Sequence, residues 1–395
     1  MRKWSAARSA LPRMAVPRPP ACIPERPAAG PGAPRVGLRE ARPLDSAPPR
    51  PILSGAERRS GRMASGRQAI LVSRPEGMVR REDFEFRDAP VPEPEEGTFV
   101  VRVEAVSIDP AMRGWMAAGK SYVPPVGLGE VMRALAGGRV EASRHPDFRE
   151  GDAVIGQFGV QTHALSDGQG VTRVDTALAP IERWIGGLGM PGLTAYFGLL
   201  EEGRPAEGET VLVSAASGAV GSVVGQIAKI RGCRAVGVAG GPEKCATLTD
   251  ELGFDAACDY KAGDLHAQLK DACPDGVDVL FENVGGAVFD AEIMHMNRRG
   301  RVVLCGLISD YNATGGVHGL RNVRSVLVNR LTMQGIIVFD YRDRYPDAVR
   351  QLAQWHAEGR LKLREDVRDG GVDAYVDVLN VLYTGGNDGK LVLRL

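Results

Sequence analysis

The chain of 395 residues has little cysteine, and none of it is closely spaced. Cys22, Cys233, Cys245, Cys258, Cys273 and Cys305 form no CxxC pair, a pattern that fits a reducing, cytoplasmic compartment with thiols as small core residues. Residues 63–189 contain no cysteine at all and only His145 and His163, so a catalytic or four-cysteine zinc site cannot be assembled there from thiolates. His266, His295, His318 and His356 show neither HExxH nor paired spacing, and His295 reads as a structural residue within a helix. Ser217 lacks the flanking glycine of a GxSxG elbow. Metal-free reduction is the economical chemistry that is left. Lys+Arg and Asp+Glu stand at 49 each, so no basic excess points to nucleic acid. The N-terminus has no apolar secretory segment, and the uncharged run 210–228 is interrupted midway by Ser and Gly, so no membrane span is expected.

Charge is uneven along the chain. Residues 1–62 hold 13 basic and four acidic residues, a net of +9, which leaves −9 on the rest and argues against a polyanion-binding body. The same stretch contains 12 of the 26 prolines and one aromatic, Trp4. It is expected to be disordered, because it cannot bury enough apolar surface to offset its ordering entropy. An Arg-rich transit peptide is an alternative, although proline opposes the amphipathic helix it needs. The favoured reading is translation from Met63.

From Met63 the chain reads as short β-rich segments, Gln68–Ser73, Thr98–Ser107 and Gly151–Phe158, bounded by Gly, Pro and Asp. They predict a small barrel or sandwich. Near Met190 strands begin to alternate with helices. Strands are expected at Thr210–Ala215, Arg234–Ala239, Val277–Glu282, Arg301–Leu307 and Leu331–Phe339. Helices are expected at Val220–Arg231, Glu243–Leu252, Ala287–Asn297 and Tyr345–Glu358. This alternation predicts an α/β fold with a doubly wound parallel sheet. The first helix carries an apolar stripe of Val220, Val223, Val224, Ile227 and Ala228. The strand-like tail Lys390–Leu395 is expected to return to the first domain.

AASGAVG, Ala215–Gly221, lies between a strand and that helix. Gly218 allows a sharp turn, Gly221 allows close packing, and the N–H groups at the helix start suit a pyrophosphate. The full GxGxxG pattern is absent, so a plain βα turn is the alternative. An NAD site places an acid about 20 residues on. This chain has Gly240 and Gly241 there, followed by Lys244, which favours a 2′-phosphate and hence NADPH. Glu243 turning toward a ribose, or Lys244 as an ordinary solvated lysine, stays open. Glu282–Gly286 (ENVGG) and Cys305–Ser309 (CGLIS) end later strands where a cofactor crevice is expected. Cys305 reads as a packed small residue rather than a nucleophile.

Several further strings complete the pattern: SIDPAMRG (107–114), SYVPPVGLGEVMR (121–133), MPGLTAYFGLL (190–200), ELGFDAACDYK (251–261) and GGNDGK (385–390). With these, the body from Gln68 to Leu395 resembles the zinc-independent medium-chain dehydrogenase/reductase superfamily. Within it, the chain is similar to the NADPH-dependent double-bond reductases of the leukotriene B4 12-hydroxydehydrogenase/prostaglandin reductase group, and closer still to the bacterial curcumin-reductase-like branch. The resemblance implies a GroES-like β-barrel domain over 63–190, completed by 362–395, and a Rossmann domain over 191–361. It implies NADPH held by Gly218, Ala219, Val220 and Gly221 at the phosphates and by Lys244 and Tyr260 at the 2′-phosphate. Asn283, Cys305, Gly306, Leu307, Ile308, Ser309, Tyr311, Ile336, Ile337, Val338 and Asn387 would line nicotinamide and ribose. It also suggests a homodimer through the Rossmann sheet. Two departures fall at positions commonly aromatic in the family, Ala111 in DPxMR and Val160 with His163 in GVQTHALSDG. Both are expected to face the substrate cleft.

The chemistry implied is hydride transfer from NADPH to the β-carbon of an α,β-unsaturated carbonyl compound, with enolate charge on the carbonyl oxygen. Donors aimed at that oxygen lower the barrier most. Tyr311 is the first candidate, with Tyr311 or water returning a proton to the α-carbon and packing beside the cofactor as its plain alternative. Tyr196 is a weaker candidate, and Arg113 is a candidate for binding a substrate carboxylate. A quinone reductase using the same site, or a binding protein without turnover, are the rival readings.

Overall fold

The computed structural model describes residues 65–395, so the disorder expected for residues 1–62 lies outside the described residues. β1 (Ser65–Leu71) and β2 (Phe84–Pro90) form an antiparallel pair. β3 (Phe99–Ser107), β4 (Ala136–Ser143), β5 (Ala153–Gly156), β6 (His163–Ser166) and β7 (Thr172–Arg173) follow. β3 is the hub of a mostly antiparallel sheet, pairing with β4 and β6, while β5 joins β4 to β7. Its run FVVRVEAVS is buried at nearly every position, which suits a strand with neighbours on both sides.

β8 (Thr210–Val213), β9 (Arg234–Ala239), β10 (Ala256–Asp259), β11 (Val277–Glu282), β12 (Met296–Leu304) and β13 (Thr332–Gly335) are all parallel. Their order is β10-β9-β8-β11-β12-β13, so the winding direction reverses between β8 and β11. A crevice at the carboxyl ends of the strands is the geometric consequence. Successive residues alternate between two cores: Val211, Val213, Val279 and Phe281 face one, and Leu212 and Leu280 the other. Period two with both faces covered is why the centres of β8 and β11, TVLV and VLF, read as continuous apolar runs.

The helix Gly221–Ile230 differs from its expected stripe by being buried all round from Gly221 to Ala228. Gln226 is tolerated inside because its amide exchanges two hydrogen bonds with the backbone of Lys362, at 2.9 and 2.7 Å. The helix expected over Ala287–Asn297 ends at Glu292, and β12 starts at Met296, five residues before the expected strand. β14 (Glu365–Asp369) and β15 (Lys390–Arg394) then return to the first sheet, where Val392 lies opposite Ser107 of β3. Lys390 is 3% exposed at its side chain and donates to Ile108 O (2.6 Å) and Asp109 Oδ1 (2.9 Å). Among the described residues, no helix is long and apolar enough to cross a membrane.

Candidate functional site

A cavity of about 760 Å³ is lined on one side by the carboxyl ends of the parallel strands and on the other by residues following β3 and the 382–391 segment. Its first wall is the turn after β8. Ala215 sits there at φ +48°, a left-handed conformation that costs a non-glycine residue about 1 kcal/mol. Its carbonyl accepts the Gly218 N–H at 2.9 Å. A Cβ at Gly221 would lie 2.5 Å from that same oxygen, so no side chain fits. Gly218, Ala219, Val220 and Gly221 all line the cavity, which brings the positive end of the helix Gly221–Ile230 to it.

Lys244 and Tyr260 close the far end. Lys244 Nζ donates to Gly385 O at 2.9 Å, and burial lowers the pKa of its ammonium. The Tyr260 ring packs over Gly240, where a Cβ would come within 2.8 Å of it. Glu243 is exposed and does not line the cavity. A half-buried cation with one carbonyl partner, beside a phenol, fits a phosphate on an adenosine ribose.

The middle of the cavity is built from the ends of β11 and β12. Asn283 donates its N–H to Ser214 Oγ (2.7 Å) and its side-chain amide to Ser214 O (2.8 Å). Cys305 N and Gly306 N both donate to Glu282 O, at 2.9 and 3.2 Å. Burial and the charge of Glu282 push the Cys305 thiol up to about 12, so it is a neutral wall residue. Ile308, Ser309, Ile336, Ile337, Val338 and Asn387 line the same space.

The other end is an aromatic chamber. The Tyr311 hydroxyl accepts the Leu307 N–H at 3.4 Å, and that of Tyr122 accepts the Trp115 indole N–H at 3.3 Å. Neither hydroxyl proton goes to an acceptor among the described residues. Burial raises both pKa values, so both phenols stay protonated donors at neutral pH. Ala111, Phe339 and Tyr383 complete the chamber. Sequence reasoning passed over Tyr122, Trp115 and Phe339; the signal for Tyr122 lay in the SYVPPVGLGEVMR string.

Five expectations need correction. Arg113 does not line the cavity: its guanidinium is taken by Pro75 O (2.8 Å), Gly77 O (3.2 Å) and Asn312 Oδ1 (3.1 Å). Tyr196 points into the core, with ring centroids of Phe197 and Trp355 at 5.3 and 6.0 Å, while Met190, Pro191 and Thr194 on other faces of its helix reach the cavity. Leu307 turns its side chain toward Gly285 and contributes only its backbone N–H. Val160 is fully buried in the core of the first sheet. His163 lies on β6 beside Glu141, at 3.2 Å, away from the cleft. His266 and His295, distant in sequence, meet at 2.9 Å on the surface.

Residues 67–174 match the family described as the N-terminal domain of oxidoreductase, and residues 219–354 the one described as zinc-binding dehydrogenase. Among the described residues, no three His, Cys, Asp or Glu side chains are grouped so as to hold a metal ion. The NADPH-dependent curcumin reductase of Escherichia coli is 43% identical over 334 residues, 83% of this chain and 96% of that one. The NADP-dependent 2-alkenal reductase of Nicotiana tabacum is 38% identical over 340 residues, 84% of this chain and 98% of that one. The structure of CurA from Vibrio vulnificus in complex with NADPH superimposes with a TM-score of 0.79 at 43% identity, covering 83% of this chain and 98% of that one. The chain belongs to the medium-chain dehydrogenase/reductase superfamily, in its group of NADP-dependent alkenal and prostaglandin reductases.

Proposed function

We infer that this protein is an NADP-dependent oxidoreductase that reduces the C=C bond of α,β-unsaturated carbonyl compounds. The observation that carries the reading is one cavity with Lys244 and Tyr260 at one end and two uncommitted phenol donors, Tyr122 and Tyr311, at the other. NADPH, when bound, supplies a hydride to the substrate's β-carbon. The chain's own part is binding, orientation and proton supply. The N–H groups of Ala219, Val220 and Gly221, which Gly218 leaves free by turning its own to Ala215 O, hold the pyrophosphate, and Lys244 with Tyr260 hold the 2′-phosphate. Asn283, Cys305–Tyr311, Ile336–Val338 and Asn387 flank the nicotinamide and its ribose. Tyr311 donates to the carbonyl oxygen where negative charge grows, in a chamber walled by Trp115, Tyr122, Phe339 and Tyr383. The raised pKa of Tyr311 keeps that proton available, and Tyr311 or a water then protonates the α-carbon. The small Ala111 leaves space in the chamber for substrate bulk.

Residues 63–190 with 362–395 form the catalytic domain in this reading, and residues 191–361 the nucleotide domain. A homodimer through β13 is supported by its place at the sheet edge and by the exposed Val323, Leu327 and Val328 beside it. The free thiols of Cys233, Cys245, Cys258, Cys273 and Cys305 support a cytoplasmic location.

The test follows NADPH and NADH oxidation by the full chain against an enone panel and a quinone panel. Fast enone turnover with NADPH is expected. Tight NADPH binding without turnover of either panel would refute the reductase reading, and preferential quinone turnover would replace it.

A further inference from the structure

Two buried acids stand behind the cavity wall, and no step above uses them. Glu282 and Glu292 are each 0% exposed. Glu282 ends β11, and its Oε1 accepts the N–H groups of Val284 (2.6 Å) and Gly285 (2.5 Å). Its Oε2 accepts the Ser214 hydroxyl at 3.0 Å, and Ser214 Oγ in turn accepts the Asn283 N–H. One carboxyl group therefore fixes the turn between β11 and the helix Gly286–Glu292. The turn is left-handed at Gly285 (φ +79°), and while its carbonyls are taken by Ile308, Ser309 and Phe289, the N–H groups of Val284 and Gly285 have Glu282 as their acceptor.

Glu292 enters from the last turn of the same helix, with its carboxyl against that of Glu282. Neither of its oxygens meets an N–H or hydroxyl donor. No Lys, Arg or His side chain hydrogen-bonds or pairs with either carboxyl among the described residues. The other titratable groups facing them are thiols: Cys258 on β10, Cys273 after the helix Leu265–Ala272, and Cys305 after β12. Burial holds these thiols at about 12, 11 and 12, so they are neutral and offer no charge to offset a carboxylate. Two carboxylates buried together without a cation cannot both ionise.

We propose that Glu282 and Glu292 share one proton, and that this pair is the positioning device that holds Asn283 and the Val284–Gly285 turn against the cofactor. The proposal rests on the cofactor placement given above. The proton resides on Glu292, because three donors already occupy the oxygens of Glu282. Its loss would set two negative charges face to face, and the turn would open to relieve them. NADPH affinity is then tied to a proton that lies out of reach of the ligand.

The test compares the full chain with Glu292→Gln, which supplies a neutral donor of the same shape, and with Glu292→Met, which removes the second acid. Infrared difference spectra at neutral pH should show a protonated, buried carboxyl in the wild type that is missing from Glu292→Gln. NADPH dissociation constants are read by fluorescence across pH. Loss of charge on Lys244 weakens NADPH alike in all three proteins, so the readout is the ratio of wild-type to variant Kd. That ratio is expected near 1 at pH ~7 and to rise with pH, to about 10 once the shared proton is lost. A flat ratio would overturn the positioning role even with the carboxyl band present, and absence of the band would overturn the shared proton. If Glu292→Gln fails to fold, Glu292→Met carries the same comparison. Failure of the wild type to bind NADPH at pH ~7 would instead overturn the functional reading, a result distinct from either.

Discussion

Replacing Lys244 by Ala isolates the choice of cofactor. The ammonium is half-buried, has a single carbonyl partner at 2.9 Å, and lies at the cavity end opposite Tyr122 and Tyr311. A charge-assisted hydrogen bond to a phosphate is worth about 1.5–3 kcal/mol, and each 1.4 kcal/mol is tenfold, so the NADPH dissociation constant should rise about 10- to 150-fold. NADH has no 2′-phosphate and should change by no more than about 3-fold, the share owed to the lost Gly385 contact. Quenching titrations with both nucleotides, at matched ionic strength, measure this directly. The sign of a pH effect follows as well. Burial lowers the pKa of Lys244, so its charge, and the preference for NADPH, should fade at lower pH than for an exposed lysine. Equal weakening of both nucleotides would refute the reasoning, because it would make Lys244 a prop for the 385 loop instead of a phosphate ligand.

Tyr311→Phe should lower kcat by about 10²-fold or more while leaving NADPH binding unchanged, and a loss confined to KM would return Tyr311 to a packing role. Arg113→Ala should cost about 2–4 kcal/mol in urea unfolding, because three hydrogen bonds are lost, with no change in preference between carboxylate-bearing and neutral enones. A selective loss of the carboxylate substrates would restore its expected binding role. Lys390→Met leaves Asp109 without its cation and should cost about 3 kcal/mol by the same assay; a loss under about 1 kcal/mol would mean that the Ser107 hydroxyl and the partial exposure of Asp109 suffice to hold its charge. Glu292, whose pKa lies above its unfolded value, binds a proton in the folded state that the unfolded chain releases, so stability falls as pH rises above the ordinary carboxylate range. Glu292→Gln should accordingly melt higher than wild type, by a margin that grows with pH, as calorimetry would show.

What could be read in advance was local. β8, β9 and β11 were legible because strands covered on both faces carry unbroken apolar runs, and the turn after β8 because glycine there answers a close approach between backbones. β10, with the sequence AACD, and β4, AGGRVEAS, were not, because alanine and glycine leave their strands to be specified by neighbours. Lys244 could be found by its distance from the glycine turn, whereas Tyr260 and Asn387 needed the family pattern. Arg113 was misread for a physical reason. What a guanidinium does depends on which carbonyls reach it, and those of Pro75 and Gly77 lie 38 and 36 residues away, outside any spacing rule. Tyr196 failed similarly, since adjacent positions on one helix face a cavity and a core.

β15 lies between β14 and β3, and Lys390 reaches back 282 positions to the carbonyl of Ile108. Synthesis therefore makes β3 early and its neighbour very late. While the six parallel strands emerge and assemble from contiguous chain, the Ala105–Ser107 end of β3, beyond the part that β6 covers, keeps an unpaired edge, the kind of edge that recruits strands from other chains. Translation speed through the inserted segment sets how long that edge waits. A slow stretch of codons there would be expected to cost yield of folded protein while leaving the finished molecule unchanged.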